Sequence, residues 1–344
     1  MTTPRMEPVD SPDETTVFDY HDLTPPTTRE VFAARRTVRR YLPRTPMVRS
    51  ESLSAALDAD VLLKREDTLP TGSFKPRGFF TLLADLDPVF EEKGLITASM
   101  GNHGQAMAYA AREYGIPATI VVPETLENPG KIGAMERMGA TVEKRGQDYD
   151  EAREWAERAA TEDPYRYVHG GNESPLIAGR ASAGLEVMED RPDVDVLINP
   201  VGGGSSTAAY CLSVGKLLGA RVLGVQATGA DAVYRAWSEG ETPVLDRAET
   251  IAEGLATRTA FALPLAILRD HLDDFVLVTD DQIEDAIYRL VDEESILAEG
   301  AGAAGVAAAL ALGEELAGQT VVVTISGRNL ATEKLRRILA SRNG

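Results

Sequence analysis

The chain has one cysteine, seven lysines and no long apolar run, and each scarcity removes a class of explanation. With Cys211 alone, no intramolecular disulfide can form and no cysteine-based zinc site can be built within one chain. No apolar stretch reaches the ~18 residues that mark a membrane-spanning helix. The acidic, proline-bearing start MTTPRMEPVDSPDETT lacks the basic start and apolar core of a signal peptide. A cytoplasmic location without a membrane partner is therefore expected, with residues 1–15 as a mobile tail. Positive charge is scarce too. Against 54 Asp+Glu stand 35 Lys+Arg, giving a formal net charge of -19, which argues against a surface for nucleic-acid phosphates or anionic lipid. So few lysines on so acidic a chain point to a high-salt cytoplasm, where a carboxylate-rich surface stays hydrated; compositional drift is the plain alternative.

What is present is a folded globular composition, 43% hydrophobic and 26% charged over 344 residues, enough for one large or two fused α/β lobes. Short, often β-branched apolar runs predict strands at 61–64, 94–98, 119–122, 141–144, 194–199, 221–226, 275–278 and 320–326. Helical spacing fills 104–114, 129–138, 149–162, 182–188, 206–218, 280–293 and 302–312. This alternation is that of an α/β protein with mostly parallel sheets. The β-α-β-α-β series over 94–147 could stand as a small lobe; a single long sheet is the alternative, since no Pro/Gly/Ser-rich linker marks a cut.

Five segments carry candidate chemistry. Gly202-Gly203-Gly204-Ser205-Ser206 follows a predicted strand and opens a helix, so its N–H groups can converge on a phosphate. It matches neither the dinucleotide fingerprint nor Walker A, which leaves a phosphate monoester or a plain tight turn. Thr71-Gly72-Ser73-Phe74-Lys75-Pro76-Arg77-Gly78 sets one lysine in a semi-apolar turn, where it loses part of its preference for the protonated state and can act as Schiff-base amine or base. A solvated loop lysine is the alternative. Ser99-Met100-Gly101-Asn102-His103-Gly104 enters an Ala-rich helix with hydroxyl, amide and N–H donors, suited to an anion or to simple helix capping. His103 reads as an orienting residue rather than a base; His21, His169 and His271 have no comparable setting. Ser326 emerges at the carboxyl end of a buried-type strand, where ligands of open α/β sheets collect, and Glu299 precedes a glycine- and alanine-rich helix whose dipole it could complement.

In this order, from about Thr27 to Asn329, these elements resemble the fold-type II pyridoxal-phosphate enzymes, specifically the threonine/serine dehydratase (ammonia-lyase) group related to serine racemase. The resemblance implies a tryptophan synthase β-like fold of two open, twisted, mostly parallel α/β lobes with pyridoxal 5'-phosphate between them. Residues 16–93 plus 169–344 would form the large cofactor-binding domain and 94–168 the small one that closes on substrate, with no C-terminal regulatory domain. Ser73-Phe74-Lys75-x-Arg77-Gly78 is similar to the cofactor-lysine motif, which nominates Lys75 as the Schiff-base lysine with Phe74 beside it. Ser99, Met100, Gly101, Asn102 and His103 correspond to the loop that holds the substrate carboxylate, with Asn102 toward the cofactor's ring hydroxyl. Gly202, Gly203, Gly204, Ser205 and Ser206 correspond to the phosphate loop, Ser205 standing where a fourth glycine is common. Ser326 would face the pyridine nitrogen, Glu299 lies near the ring, and Arg328 departs from the glycine usual after Ser326-Gly327.

Two further departures bear on activity. Met100 stands where racemase-type members carry a second acid/base serine, and methionine has no proton to give. Gln226 and Ala232 replace the charged ligands of the group's cation site, so no metal is expected there. The expected reaction is β-elimination of L-threonine or L-serine, with Lys75 taking the Cα proton and the cofactor phosphate supplying one to the departing hydroxyl. Products would be 2-oxobutanoate or pyruvate and ammonia. Alternatives on the same scaffold are dehydration of another β-hydroxy amino acid such as 3-hydroxyaspartate, racemisation or β-replacement; of another class is a non-catalytic phosphometabolite binder. A homodimer or higher homo-oligomer fits the group.

Overall fold

The computed structural model describes residues 23–127 and 129–342; the N-terminal segment expected to form a tail lies outside the described residues. Ten strands appear: β1 (Met47–Arg49), β2 (Asp60–Arg65), β3 (Leu95–Ala98), β4 (Ala118–Val122), β5 (Thr141–Lys144), β6 (Arg166–Tyr167), β7 (Val196–Pro200), β8 (Arg221–Ala227), β9 (Asp274–Val278) and β10 (Thr320–Ile325). They form two sheets, β1-β2-β10-β7-β8-β9 and β5-β4-β3-β6, in which only the β1–β2 pair is antiparallel. This is the α/β class expected from the alternation of elements.

Helices cover both faces of the larger sheet, which is why its central strands are apolar along their whole length. In β10, Val322 points into one core cluster with Leu62, Leu197 and Val222, while Val321 and Val323 point into the other with Val61, Val196 and Leu223. The helix Gly300–Leu312 lies wholly in that second layer; its glycines and alanines let it approach the sheet closely. The smaller sheet has its own layers, one including Phe79, Phe80, Met107 and Ile120 and the other Ile96, Val121 and Tyr167.

The differences from the sequence reading have local causes. β1 and β6 are three and two residues long, too short to show as apolar runs. The helix Thr28–Tyr41 is rich in arginine, yet Val31, Ala34 and Val38 form a buried stripe, and Thr27 and Glu30 close a capping box. The predicted helix 182–188 extends to Ser174–Asp190, because its first half is buried on all sides and shows no polar face. The predicted helix 206–218 divides: Ser205–Tyr210 is α-helical and Cys211–Leu218 is π-helical, with the Ser213 hydroxyl donating to the Ala209 carbonyl at 2.7 Å. No helix among the described residues is long and apolar enough to cross a membrane.

Candidate active site

Each candidate segment leaves the carboxyl end of a parallel strand. Ser99 follows β3, the glycine run follows β7, Ser326 follows β10, and the Lys75 turn follows β2 after a short 3-10 turn, Glu66–Thr68. The Lys75 turn is laced to the end of β10: Phe74 N–H donates to the Ser326 carbonyl at 3.1 Å and Arg328 N–H to the Gly72 carbonyl at 2.9 Å. Gly72 has φ +71°, and a Cβ there would lie 2.5 Å from Asn329 Oδ1, so the turn needs glycine on both counts.

Asn329 links three segments, and sequence reading gave it no role. Its Nδ2 donates to the Thr71 carbonyl at 2.8 Å and to Asn102 Oδ1 at 2.7 Å, while Asn102 Nδ2 donates to Glu299 Oε1 at 2.7 Å. The Asn102 amide is thereby fixed at both ends. Glu299 N–H in turn donates to the Gly327 carbonyl at 3.0 Å.

Lys75 is half-buried, with Nζ 4.9 Å from the Phe74 ring centroid. Burial first and the Arg180 guanidinium second pull its ammonium down to about 7, against an opposing pull from Glu299. Burial pushes the Glu299 carboxyl up to about 7, opposed by Asn102 and Lys75. His103 is buried and tilted against Phe79 at 4.9 Å; burial, then the Lys75 and Arg180 charges, hold its imidazole well below its ordinary value and therefore neutral.

The loop Ser99–His103 is open. A Cβ on Gly101 would meet nothing within 4 Å, and Met100 is 37% exposed. The Ser99 hydroxyl oxygen accepts from Gly104 N–H at 2.9 Å and Gly101 N–H at 3.3 Å, which leaves its own hydrogen to donate.

The glycine run is closed from behind. A Cβ on Gly202 would lie 2.2 Å from the Gly254 carbonyl and one on Gly203 2.1 Å from Phe261 Cε2, while Gly204 has φ +85°. The N–H groups of Gly202, Gly203 and Gly204 donate no hydrogen bond to the described residues. Ser206 Oγ accepts from Asn199 Nδ2 at 3.1 Å. The Ser205 hydroxyl accepts from Arg180, a second residue that sequence reading missed. Of the positions weighed for a cation, Gln226 is buried with its Oε1 accepting from Tyr234 N–H at 3.0 Å, and Ala232 is buried. Among the described residues no group of three or more His, Cys, Asp or Glu side chains is placed to hold a metal ion.

A buried charge cluster stands behind the Lys75 turn. Arg77 donates Nε to Glu66 Oε2 at 2.7 Å and its two Nη groups to Glu186 at 2.9 Å each, and Lys64 Nζ reaches Glu186 Oε2 at 2.7 Å. Arg77 Nη2 also donates to Glu66 Oε1 at 2.9 Å and approaches the Thr45 hydroxyl at 3.1 Å, and Nη1 donates to the Ser182 hydroxyl at 3.0 Å.

The profile of the family described as "Pyridoxal-phosphate dependent enzyme" matches residues 38–327. An L-threonine ammonia-lyase of Thermotoga maritima is 35% identical over 314 residues, 91% of this chain and 78% of that one. Among solved structures, the processed form of threonine deaminase isoform 2 from Solanum lycopersicum superposes with a TM-score of 0.86 at 27% identity, covering 99% of this chain and 94% of that one. Maize serine racemase gives 0.85 at 27% identity, with 92% and 98% covered.

Proposed function

The chain belongs to the pyridoxal-phosphate dependent enzyme family, and from that premise we propose that it dehydrates and deaminates L-threonine and L-serine to 2-oxobutanoate and pyruvate with release of ammonia. The observation that carries this reading is the joining of the Lys75 turn, Asn102, Glu299 and the end of β10 in one hydrogen-bonded group beside an open anion-accepting loop. Pyridoxal phosphate, when bound, supplies the electron sink that makes the substrate Cα–H acidic. The chain suits it: the glycine run offers unpaired N–H groups on a surface where any side chain would collide, and Lys75 is an amine that sheds its proton near neutrality.

Lys75 would hold the cofactor through its amine, and its Nζ is the group that would take the substrate's Cα proton. Gly202, Gly203, Gly204, Ser205 and Ser206 hold the phosphate. Ser99 gives its hydroxyl hydrogen to the substrate carboxylate, helped by the N–H groups that open the helix Asn102–Tyr114. Asn102, fixed between Glu299 and Asn329, keeps a second Nδ2 hydrogen that would be available to the ring hydroxyl. Phe74 packs beside the ring, and His103, neutral and buried, shapes the loop. Ser326 would face the pyridine nitrogen with a neutral hydroxyl, which would favour elimination over transamination. Met100 offers no proton on the opposite side, which disfavours racemisation. The lobe over 94–168 closes over substrate, and the enzyme works as a homodimer or larger homo-oligomer in the cytoplasm.

A panel of L- and D-threonine, serine and 3-hydroxyaspartate, scored for 2-oxo acid and ammonia, tests this reading: product from L-threonine or L-serine supports it, and product from hydroxyaspartate alone refutes it. The depressed Lys75 ammonium makes a second expectation. In cofactor-free protein the rate of pyridoxal-phosphate capture should climb with pH and level off just above 7, because only the neutral amine attacks; a solvated lysine would keep climbing toward about 10. Stopped-flow absorbance across pH 6–10 separates the two. The charge of -19 adds a third. Salt screens repulsion among surface carboxylates, so activity and melting temperature should rise toward molar salt; full activity and an unchanged melting temperature in dilute buffer would end the halophilic part of the reading alone.

A further inference from the structure

Arg180, in the helix Ser174–Asp190, is 2% exposed, yet no carboxylate among the described residues pairs with it. Glu173, the acid that acts on it through space, is itself bonded to Arg166 at 2.7 Å. One Arg180 nitrogen, Nη1, donates to the Ser205 hydroxyl; Nε and Nη2 are buried without any hydrogen-bond partner. Its guanidinium carbon lies 5.5 Å from the centroid of the Phe74 ring, the same ring that Lys75 Nζ approaches at 4.9 Å. Two cations approach one aromatic ring, and a buried, half-satisfied guanidinium is costly unless a ligand completes it.

The ligand's chemistry follows from the neighbours. Arg180 meets the glycine run through Ser205, where the N–H groups of Gly202, Gly203 and Gly204 also lack partners. A planar fork with two free donors beside converging N–H groups matches the tetrahedral oxygens of a phosphate monoester. We infer that Arg180 is a direct ligand of the cofactor's phosphate, closing the glycine run from the side of the helix Ser174–Asp190 and fixing the Ser205 hydroxyl as it does so. The inference rests on the function proposed above. Burial pulls the Arg180 guanidinium down to about 10, where it is still charged at neutral pH, so an arriving anion would offset the cost of burying that charge.

The test compares retention of two aldehydes that differ only in the phosphate. Wild-type, Arg180→Gln and Arg180→Lys full-length proteins are loaded with pyridoxal phosphate or with pyridoxal, and loss on dilution is followed by visible absorbance. Removing a charge-assisted hydrogen-bonding group should weaken pyridoxal-phosphate retention about 10- to 100-fold in Arg180→Gln. Pyridoxal retention should stay within about twofold, and Arg180→Lys should recover part of the difference. A variant that loses both aldehydes equally, as a merely misfolded one would, or that loses neither, overturns the assignment while leaving the enzymatic function standing. A wild-type protein that retains neither aldehyde removes the function and this inference together.

Discussion

Lys75→Ala is expected to abolish both turnover and the visible absorbance of the purified protein, with activity falling about a thousandfold or more. The size of the effect follows from the absence of a substitute. Of the seven lysines, Lys64 is locked to Glu186, Lys93 lies against Asp163, and Lys131 and Lys334 meet Glu253. Lys144 Nζ donates to the Leu126 carbonyl, and Lys216 lies in the π-helical segment Cys211–Leu218. None can replace an amine held between Phe74, Arg180 and Glu299. The fold should survive, since Lys75 makes no ion pair among the described residues, and an unchanged melting temperature with lost absorbance separates chemistry from unfolding.

Glu186→Ala is expected to produce the largest stability loss, about 3–5 kcal/mol, because it strands Lys64 and half of Arg77 as buried charges. Burial alone would raise the Glu186 carboxyl, but the Arg77 and Lys64 cations outweigh it and bring it down to about 2. The sign is that of a depressed acid: the contribution is complete above the ordinary value near 4.5 and is lost as pH falls through about 2. Urea unfolding at pH 7 and pH 3 should therefore show a wide gap between variant and wild type at the higher pH and a narrower one at the lower. An equal gap at both would show that lost packing, not charge, carries the effect. Because Arg77 lies two residues beyond Lys75 at the start of the helix Pro76–Ala84, the cluster also anchors the turn that presents the amine.

The parts of the site that a sequence shows best are contiguous. The Lys75 turn, the Ser99–His103 loop and the glycine run each carry several informative residues side by side. Each also follows a strand whose apolar run is visible, so its place at a strand's carboxyl end could be read directly. Arg180 and Asn329 could not. Arg180 lies in a helix whose first half is buried on all sides, and its chemistry appears only when β7 brings Ser205 against it; its one signal is an arginine inside an otherwise small and apolar run, LIAGRASAG. Asn329 acquires its role by touching residues 227 and 258 positions away. The helix Thr28–Tyr41 was hidden by its arginines, two of which, Arg35 and Arg39, converge with Arg44 on Glu189 in the folded chain.

The central claim is that Lys75 carries pyridoxal phosphate for elimination from a β-hydroxy amino acid. A visible absorption spectrum of the purified protein, taken before and after addition of L-threonine and L-serine, tests cofactor, lysine and substrate at once. The account predicts a coloured protein whose absorbance shifts on adding either amino acid and returns as 2-oxo acid accumulates. A colourless protein that stays so after pyridoxal phosphate is added, or a coloured one that is indifferent to both amino acids, would contradict it.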